Sequence, residues 1–483
     1  MKSLPLTNLI EWFDERTGLR EKLDEALNEP IRGGARWAYV FGSILLFLFL
    51  LQVVTGIFLT LYYVPSADHA HTSVAFIQKA VPGGGLLRGI HHYGASAMVI
   101  FAVLHLVQTF LFGAYKQKRE LVWIVGGVMM LLILGFAFTG YLLPWDQAAY
   151  FGTKVGTSIA GEIPVVGPIQ QRIMLGGTEL TTLTLSRFFT AHVFLLPLLL
   201  GLLVAGHVYL FRRATPAGPF HNRDDARVER FYPKQVFKDA VAMLVVFLAL
   251  VYLAKYIPAE LGPQADPSSD YLARPPWYFL PLFQLLKYFP GKFTVIPTVI
   301  LPGLLFTLIF LLPILDRRAE RHPLKRPLAT LSLLLILLGA IGLGGLSKYQ
   351  DRTNKDFHAK LQEQEEDQRG FLAAPFEPQT VGAVLAATPV KAQPEAVTII
   401  PPPAIYQATC AECHGDHAEG GKDDEPSLIG ITAKQNRSKV DLLKLLNNSR
   451  TYGLKKPMPR NFPELSAEDK KNIIEWIDSL KTK

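Results

Sequence analysis

Four histidines, His91, His105, His192 and His207, lie in two apolar runs, the first pair fourteen residues apart and the second fifteen. An α-helix turns about 100° and rises about 1.5 Å per residue, so fourteen steps return to within about 40° of the starting face and fifteen to within about 60°, each roughly 21–22 Å further along. Two such helices side by side present two His–His pairs stacked across a membrane, the arrangement that two bis-histidine haems require. One histidine in an apolar helix could be a lone buried residue satisfied by one hydrogen bond. Four at matched spacing point to function, because ionisable groups inside membrane helices are costly. His92 competes with His91, but its offset of thirteen from His105 turns it about 140° away, so His91 is preferred. Gly42 and Gly56 repeat the fourteen-residue interval in an earlier run, and Gly126 and Gly140 in a later one. A haem face needs close backbone approach, which glycine permits. Ordinary small-residue packing of membrane helices is the competing explanation.

A second chemistry sits near the end of the chain. Cys410-Ala411-Glu412-Cys413-His414 contains both cysteines of the protein and has the form of a covalent c-type haem attachment site, two thiols followed by an axial histidine. A structural zinc site would need Cys410, Cys413, His414 and His417 to ligate from one tight loop, against the usual two separated pairs. The second axial ligand must come from further on, where no histidine follows His417 and the one methionine is Met458. A His414–Met458 pair predicts a relatively high potential, because a thioether ligand raises it. His221, His322 and His358 fall in loops or linker, and His69 and His71 in the loop after the first apolar run.

Seven apolar runs can position these groups, near 38–63, 90–112, 121–143, 188–211, 239–257, 295–315 and 328–347, each long enough to be read as a membrane span. Pro197 and Pro302 fall inside them, which bundled membrane helices tolerate. The loops after the second, fourth and sixth runs carry net charges of +2, +4 and +3, against +1, 0 and +1 for the opposite set. The positive-inside rule then puts the N-terminus in the cytoplasm, His91 and His192 near the outer face, His105 and His207 near the inner face, and everything after residue 347 outside. The expected fold is all-α, a seven-span transmembrane helical bundle followed by a small α-helical domain. Its expected divisions are an N-terminal segment 1–36, a four-helix haem-binding domain 37–215, a three-helix domain 216–347, a linker 348–403 and a haem c domain 404–483. Leu9-Ile10-Glu11-Trp12-Phe13 opens an amphipathic stretch expected at the interface, and no cleavable signal peptide is expected. Residues 348–403 turn from charged to Ala-, Pro- and Val-rich and end in Pro401-Pro402-Pro403, the composition of a tether. A helix is expected over 466–480.

Residues 37–347 resemble cytochrome b of the quinol-oxidising cytochrome bc complexes. The resemblance rests on Leu87-Arg88-Gly89-Ile90-His91, Gly140-Tyr141-Leu142-Leu143-Pro144-Trp145-Asp146-Gln147, Arg187-Phe188-Phe189-Thr190-Ala191-His192 and Pro275-Pro276-Trp277-Tyr278. The tail resembles a class I cytochrome c. By resemblance, His91 and His192 hold the outer of two haems b, His105 and His207 hold the inner one, and Arg88 and Arg187 meet propionates of the outer haem. Pro275, Trp277 and Tyr278 would belong to an outer quinol-oxidising site. Lys238 and Asp239 would belong to an inner quinone-reducing site, with Arg212 a weaker candidate.

Three departures matter. The fifteen-residue His192–His207 interval is similar to the chloroplast-type branch. That branch carries an extra haem on a cysteine where this chain has Val40, so no such haem is expected. Pro276 stands where the family usually has a proton-accepting Glu, leaving Asp270, Asp266, Glu260 and Asp146 as candidates. The resemblance implies a subunit of a quinol:cytochrome c oxidoreductase in a bacterial inner membrane, with proton translocation. It also implies a Rieske iron–sulfur partner, a downstream cytochrome c or oxidase, and a homodimer within a multisubunit complex. No nucleic-acid partner is expected. Two rivals are a haem b anchor of a dehydrogenase or hydrogenase, and a transporter using histidines as proton relays, which would be colourless.

Overall fold

A long run of apolar residues can cross a bilayer only if its backbone bonds to itself, and an α-helix achieves that within one segment. Seven helices are long and apolar enough to do so, Trp37–Thr60, Gly84–Leu111, Glu120–Tyr141, Thr182–Ala214, Lys234–Tyr256, Ile296–Leu315 and Pro327–Thr353. They are the seven expected spans, and the protein is an integral membrane protein. The computed structural model describes residues 6–215, 217, 228–377, 402–416, 418, 427–428, 431, 439–447 and 465–480. It divides into two units, Met1–Gln379 and Thr380–Lys483. Helix dominates the described residues of both. Among the described residues the strands are Pro30–Arg32 and Val228–Arg230, paired antiparallel with Ile31 opposite Glu229.

The first five spans share one core. It is built from Val40, Ile44 and Leu48 of the first, Met98, Val99 and Ala102 of the second, Ile133 and Ala137 of the third, Leu200 of the fourth and Leu250 of the fifth. The three- and four-residue spacing of these positions places them on one stripe of each helix. The sixth span packs on the third, and the seventh on a short helix, Leu280–Leu286. The most apolar windows of spans six and seven are 0% buried, so their surfaces are left for lipid or a neighbouring chain.

Two spans contain a π-helical turn, at Ala191–Leu195 and Ile296–Ile300. Each lies just before a proline, Pro197 or Pro302, near the start of the α-helix that follows. Proline has no N–H and its ring crowds the carbonyl four residues back. In the wider turn the Leu196 N–H bonds to the Ala191 carbonyl and the Leu301 N–H to the Ile296 carbonyl, five residues back instead of four. A π turn takes up about one more residue than an α turn. The fifteen-residue interval from His192 to His207 therefore brings the second ring round much as fourteen residues do in an unbroken α-helix.

The end of the bundle that carries His105 is closed by a buried polar knot. Lys116 Nζ donates to Asp316 Oδ1 at 2.7 Å and to the carbonyls of Arg318 and Glu320. Arg326 donates to Asp316 Oδ2 at 3.3 Å, to the Tyr115 hydroxyl and to the carbonyls of Phe110 and Leu111. The Tyr115 hydroxyl donates to Asp316. Desolvation raises the Asp316 pKa, but the bonds from Lys116, Tyr115 and Arg326 outweigh it and hold the carboxyl below its usual range. The knot joins the loop after span two to the loop before span seven. At the opposite end lie three surface helices, Ala70–Lys79, Gln147–Gly161 and Gly167–Leu175.

The stretch 348–403, expected to be a tether, begins otherwise. The seventh span runs to Thr353, and a second helix, Lys355–Ala373, starts at once with the Asn354 side chain capping the N–H groups of Asp356 and Phe357. In the second unit, helices Ala404–Thr409, Ala411–His414, Lys439–Asn447 and Ala467–Ser479 are described. Ser466 and Asp469 form a reciprocal cap at the start of the last helix. The core there gathers Tyr406, Cys410, Leu442, Leu445, Ile473, Ile474, Trp476 and Ile477.

Asp316→Asn leaves two buried cations without their counter-charge and should cost about 3 kcal/mol at pH 7, the scale for breaking a buried pair. A carboxyl whose folded pKa is depressed stabilises above its unfolded value of about 4 and loses that contribution as pH falls through the folded value. The gap between wild type and variant in thermal unfolding of the solubilised protein should therefore close below about pH 4. Equal stability at pH 7 would refute the knot.

Candidate functional site

The four spaced histidines come together in two pairs. His91 and His192, from spans two and four, face each other with ring centroids 6.3 Å apart and planes at 70°. His105 and His207 lie within electrostatic reach of each other. Each ring rests against one of the four spaced glycines. A Cβ on Gly42 would lie 3.7 Å from Cε1 of His105, one on Gly56 3.4 Å from Cε1 of His91, one on Gly126 3.4 Å from Cε1 of His207, and one on Gly140 2.6 Å from Cε1 of His192. Spans one and three thus serve as the walls, and spans two and four carry the rings.

Two threonines decide how the first pair is protonated. Thr55 Oγ1 is 2.9 Å from Nδ1 of His91, and Thr139 Oγ1 is 3.0 Å from Nδ1 of His192. Each hydroxyl has one proton, and each gives it to its own helix, Thr55 to the Leu51 carbonyl at 2.7 Å and Thr139 to the Gly135 carbonyl at 2.8 Å. The threonine oxygen must then accept from the ring, so Nδ1 carries the hydrogen and Nε2 keeps a bare lone pair. That is the tautomer an imidazole needs to bind a metal, held by the bond that orients it. A separation of 6.3 Å also accommodates two metal–imidazole bonds of about 2 Å each placed end to end. The residues fit two bis-histidine haem sites. Among the described residues, Nδ1 of His105 and of His207 is buried without a hydrogen-bond partner. Thr55 and Thr139 were not singled out from sequence, although each stands immediately before one of the spaced glycines, Gly56 and Gly140.

In the tail, the Cys410 and Cys413 thiols are free and the turn Ala411–His414 sets both beside His414. Burial pushes the Cys410 thiol pKa up. Tyr406 is fully buried beneath them, its hydroxyl donating to the Gly415 carbonyl at 3.0 Å and its ring 4.5 Å from Trp476. Met458 and His417 lie outside the described residues.

Family models agree with this arrangement. The model described as Cytochrome b/b6/petB matches residues 28–215, and that described as Cytochrome b(C-terminal)/b6/petD matches 264–360. The cytochrome bc complex cytochrome b subunit of Chlorobaculum thiosulfatiphilum is 37% identical over 340 residues, which is 68% of this chain and 77% of that protein. The chain belongs to the cytochrome b family of the bc complexes. The menaquinol:cytochrome c reductase cytochrome b subunit of Bacillus subtilis is 40% identical to this cytochrome b over 222 residues, 44% of this chain and 99% of the relative. A solved structure described as Hyperthermophilic respiratory Complex III superposes with a TM-score of 0.64 at 29% identity, covering 75% of this chain and 96% of the other. Residues 400–477 match the model described as Cytochrome C oxidase, cbb3-type, subunit III. Cytochrome b is thus fused to a cytochrome c domain, and the two domains imply haem b and haem c.

The remaining expected residues are placed as follows. Pro275 and Pro276 lead into a tight turn, Trp277–Phe279, whose Tyr278 packs against the five-span core. Burial pushes the Tyr278 hydroxyl up to about 12. Arg88 is buried and donates to Gln78, to the Ala259 carbonyl at 3.1 Å and to the Glu260 carbonyl. Arg187 donates to the Ile173 carbonyl. Both guanidinium groups are thus engaged with protein acceptors at the His91 end. Of the four acids considered in place of the family's Glu, Asp146 accepts from the N–H groups of Ala149 and Gly262, both at 2.9 Å. Asp266 accepts from Ser268, and Asp270 pairs with Lys360. The Glu260 carboxylate has no hydrogen bond among the described residues. Glu260 is exposed at the surface, and partial desolvation of its carboxyl together with the nearby charge of Asp146 raises its pKa. At the His105 end Asp239 is buried, its carboxylate accepting from Ser43 Oγ at 3.0 Å and from Gln235 Nε2 at 2.8 Å, while Lys238 donates to the Ala35 carbonyl at 2.7 Å. Arg212 lies 3.6 Å from Glu29.

The glycine distances rank four substitutions. Gly140→Ala should displace the His192 ring and shift or remove the corresponding b-type absorption band. Gly42→Ala, with ordinary contact to His105, should leave both bands in place. Reduced-minus-oxidised spectra of the two variants check this, and the reverse order would mean the glycines do not line the haem faces.

Proposed function

We propose that this cytochrome b oxidises quinol at the His91 end and reduces quinone at the His105 end, as the b and c subunit of a quinol:cytochrome c oxidoreductase. The observation that carries the reading is the pairing of His91 with His192, each held by a threonine in the metal-binding tautomer, with Tyr278 packed on the same bundle. His91 with His192, and His105 with His207, would ligate two haems b. Cys410, Cys413, His414 and Met458 would hold the haem c. When bound, these groups supply one-electron carriers across and beside the membrane.

The chain's own residues do the rest. Tyr278 and Trp277, fixed by the Pro275-Pro276 turn, wall a site for the quinol ring. Quinol gives up two electrons and two protons, and Glu260 is the acid we assign to accept a proton, because of the four candidate acids its carboxylate alone has no hydrogen-bond or ion-pair partner among the described residues. One electron would leave to a Rieske iron–sulfur partner and on to the haem c and a downstream cytochrome c or oxidase. The other would cross the bundle to quinone beside Asp239, where Ser43 and Gln235 hold the proton-donating carboxyl in place and Lys238 is held on the Ala35 carbonyl. The positive-inside rule supports an orientation with the His105 end cytoplasmic. Proton uptake there and release opposite would make the cycle translocate protons across a bacterial inner membrane. The printed name of the Bacillus subtilis relative, a menaquinol:cytochrome c reductase subunit, favours this reading over a dehydrogenase anchor. The unburied sixth and seventh spans leave room for the further subunits and second copy that such a complex would contain.

The purified chain should yield two haems b for each covalent haem c in a pyridine haemochrome assay. His207→Leu should remove one b haem and leave the c haem intact, since the ligand loss is confined to the bundle. A one-to-one ratio, or loss of every haem signal at normal protein level, would overturn the assignment. Glu260→Gln should slow cytochrome c reduction by quinol by about two orders of magnitude, the usual scale of a lost general base, while the haem spectra stay unchanged. An unaltered rate and pH profile would place the proton acceptor elsewhere.

A further inference from the structure

The Pro275-Pro276-Trp277-Tyr278 turn is reached through a long connection, residues 257–276, with no helix or strand of its own. Connections of that length inside a compact bundle are uncommon and need external support. The support comes from two directions. The first half is held by the haem-bearing helices and their neighbours. Tyr93 donates to the Ile257 carbonyl, Arg88 to the carbonyls of Ala259 and Glu260, and His71 Nε2 lies 2.8 Å from the Gly262 carbonyl. Asp146 accepts from the Gly262 N–H, and Gln147 donates its N–H to the Pro263 carbonyl.

The second half is held from elsewhere. Ser269 still reaches Gln147, and Tyr271 stacks on Phe151. Apart from Tyr141, whose hydroxyl lies 3.5 Å from the Arg274 carbonyl, the remaining side-chain anchors come from the end of the seventh span and the segment that follows it. Lys360 pairs with Asp270. Gln364 pairs with the backbone of Leu272 in both directions, accepting its N–H at 3.2 Å and donating to its carbonyl at 3.4 Å. Asp351 takes a two-pronged bond from Arg274 at 2.9 and 2.7 Å, with both side chains largely buried. The Arg274 guanidinium lies between the rings of Phe283 and Phe357 at 5.0 and 5.5 Å. In the last turn of the helix Lys355–Ala373 and just past it, Phe371, Leu372 and Phe376 close over Val74, Ala75 and Leu261. The Phe371 ring sits 5.1 Å from His71 and 3.9 Å from Lys79 Nζ. The segment's composition suggests a tether, yet every few residues it grips the connection.

We propose that residues 351–376 are a strap that fixes 261–276, and that Asp351, Gln364 and Phe371 are positioning residues for quinol at the Tyr278 site. None of the three touches Tyr278 in the described contacts. They act by restricting the backbone that carries it. The proposal rests on the quinol reading above for its consequence, but not for the strap itself. The same chain that leads to the haem c domain is thereby anchored on the connection that enters the quinol turn.

The test uses the full chain in its membrane complex, with the double variant K360A/Q364A, the single variant Phe371→Ala and the conservative Phe371→Leu. Hydrogen exchange of backbone amides should speed up by about tenfold or more, in 266–276 for the double variant and around Leu261 for Phe371→Ala, while amides of the fifth span keep their protection. The Michaelis constant for quinol should rise about fivefold with kcat within about twofold, since lost positioning of the bound ring removes binding common to ground and transition states. Phe371→Leu should restore both readouts towards wild type. Unchanged exchange in a variant with intact haem spectra overturns the strap. Faster exchange with an unchanged Michaelis constant overturns the positioning role. If wild-type membranes oxidise no quinol, the functional reading fails, and the exchange measurement still decides whether the strap exists.

Discussion

A polar ring inside hydrocarbon must be bonded or coordinated, and the first half of this protein is arranged around that requirement. His91 and His192 meet it with one bond apiece, to Thr55 and Thr139. Because each threonine spends its own proton on its helix, the bond also selects which ring nitrogen is left bare. Orientation, tautomer and satisfaction of a buried polar group come from a single contact. The glycine that follows each threonine supplies the open wall. A Thr-Gly pair in span one and another in span three therefore do the same work for rings on spans two and four, which gives the four-helix half an internal two-fold logic.

Fixing the rings in this way places demands on the helices that carry them. Span four includes Pro197, and a proline inside a helix would rotate everything beyond it out of register. The π turn at Ala191–Leu195 absorbs the proline and the extra residue together, so His207 returns to the face of His192. The same device recurs before Pro302 in span six, where no histidine depends on it. That recurrence ties the wider turn to a following proline, with ring register as its consequence in span four.

The two ends of the bundle are closed by different physics. At the His105 end a buried knot of Asp316, Lys116, Arg326 and Tyr115 ties two loops by charge, and a short ribbon joins Pro30–Arg32 to Val228–Arg230. At the His91 end the loops are longer, and backbone carbonyls are caught by single side chains such as Arg88, His71 and Gln364. The first arrangement resists rearrangement, because any broken pair strands a buried charge. The second is built of many smaller contacts and suits an end where a substrate would enter and leave.

The sequence by itself determined the number of spans, the all-α class, the covalent haem motif, and the matched spacing of four histidines and four glycines. Each is a periodic or local signal, readable because a helix repeats every 3.6 residues or so and a bilayer has a fixed thickness. Tertiary structure alone decided the rest. Thr55 and Thr139 are ordinary helix residues until a second helix brings an imidazole to them. Asp146 looks like a candidate acid until its two oxygens are seen to accept N–H groups from its own helix and from residue 262. Residues 348–376 have the charged, low-complexity look of a tether because their anchors lie some 75 to 90 positions away in sequence, between Asp351 and Arg274, Gln364 and Leu272, and Lys360 and Asp270. Contacts between distant, individually unremarkable polar residues carry no periodicity, so only the folded chain reveals them.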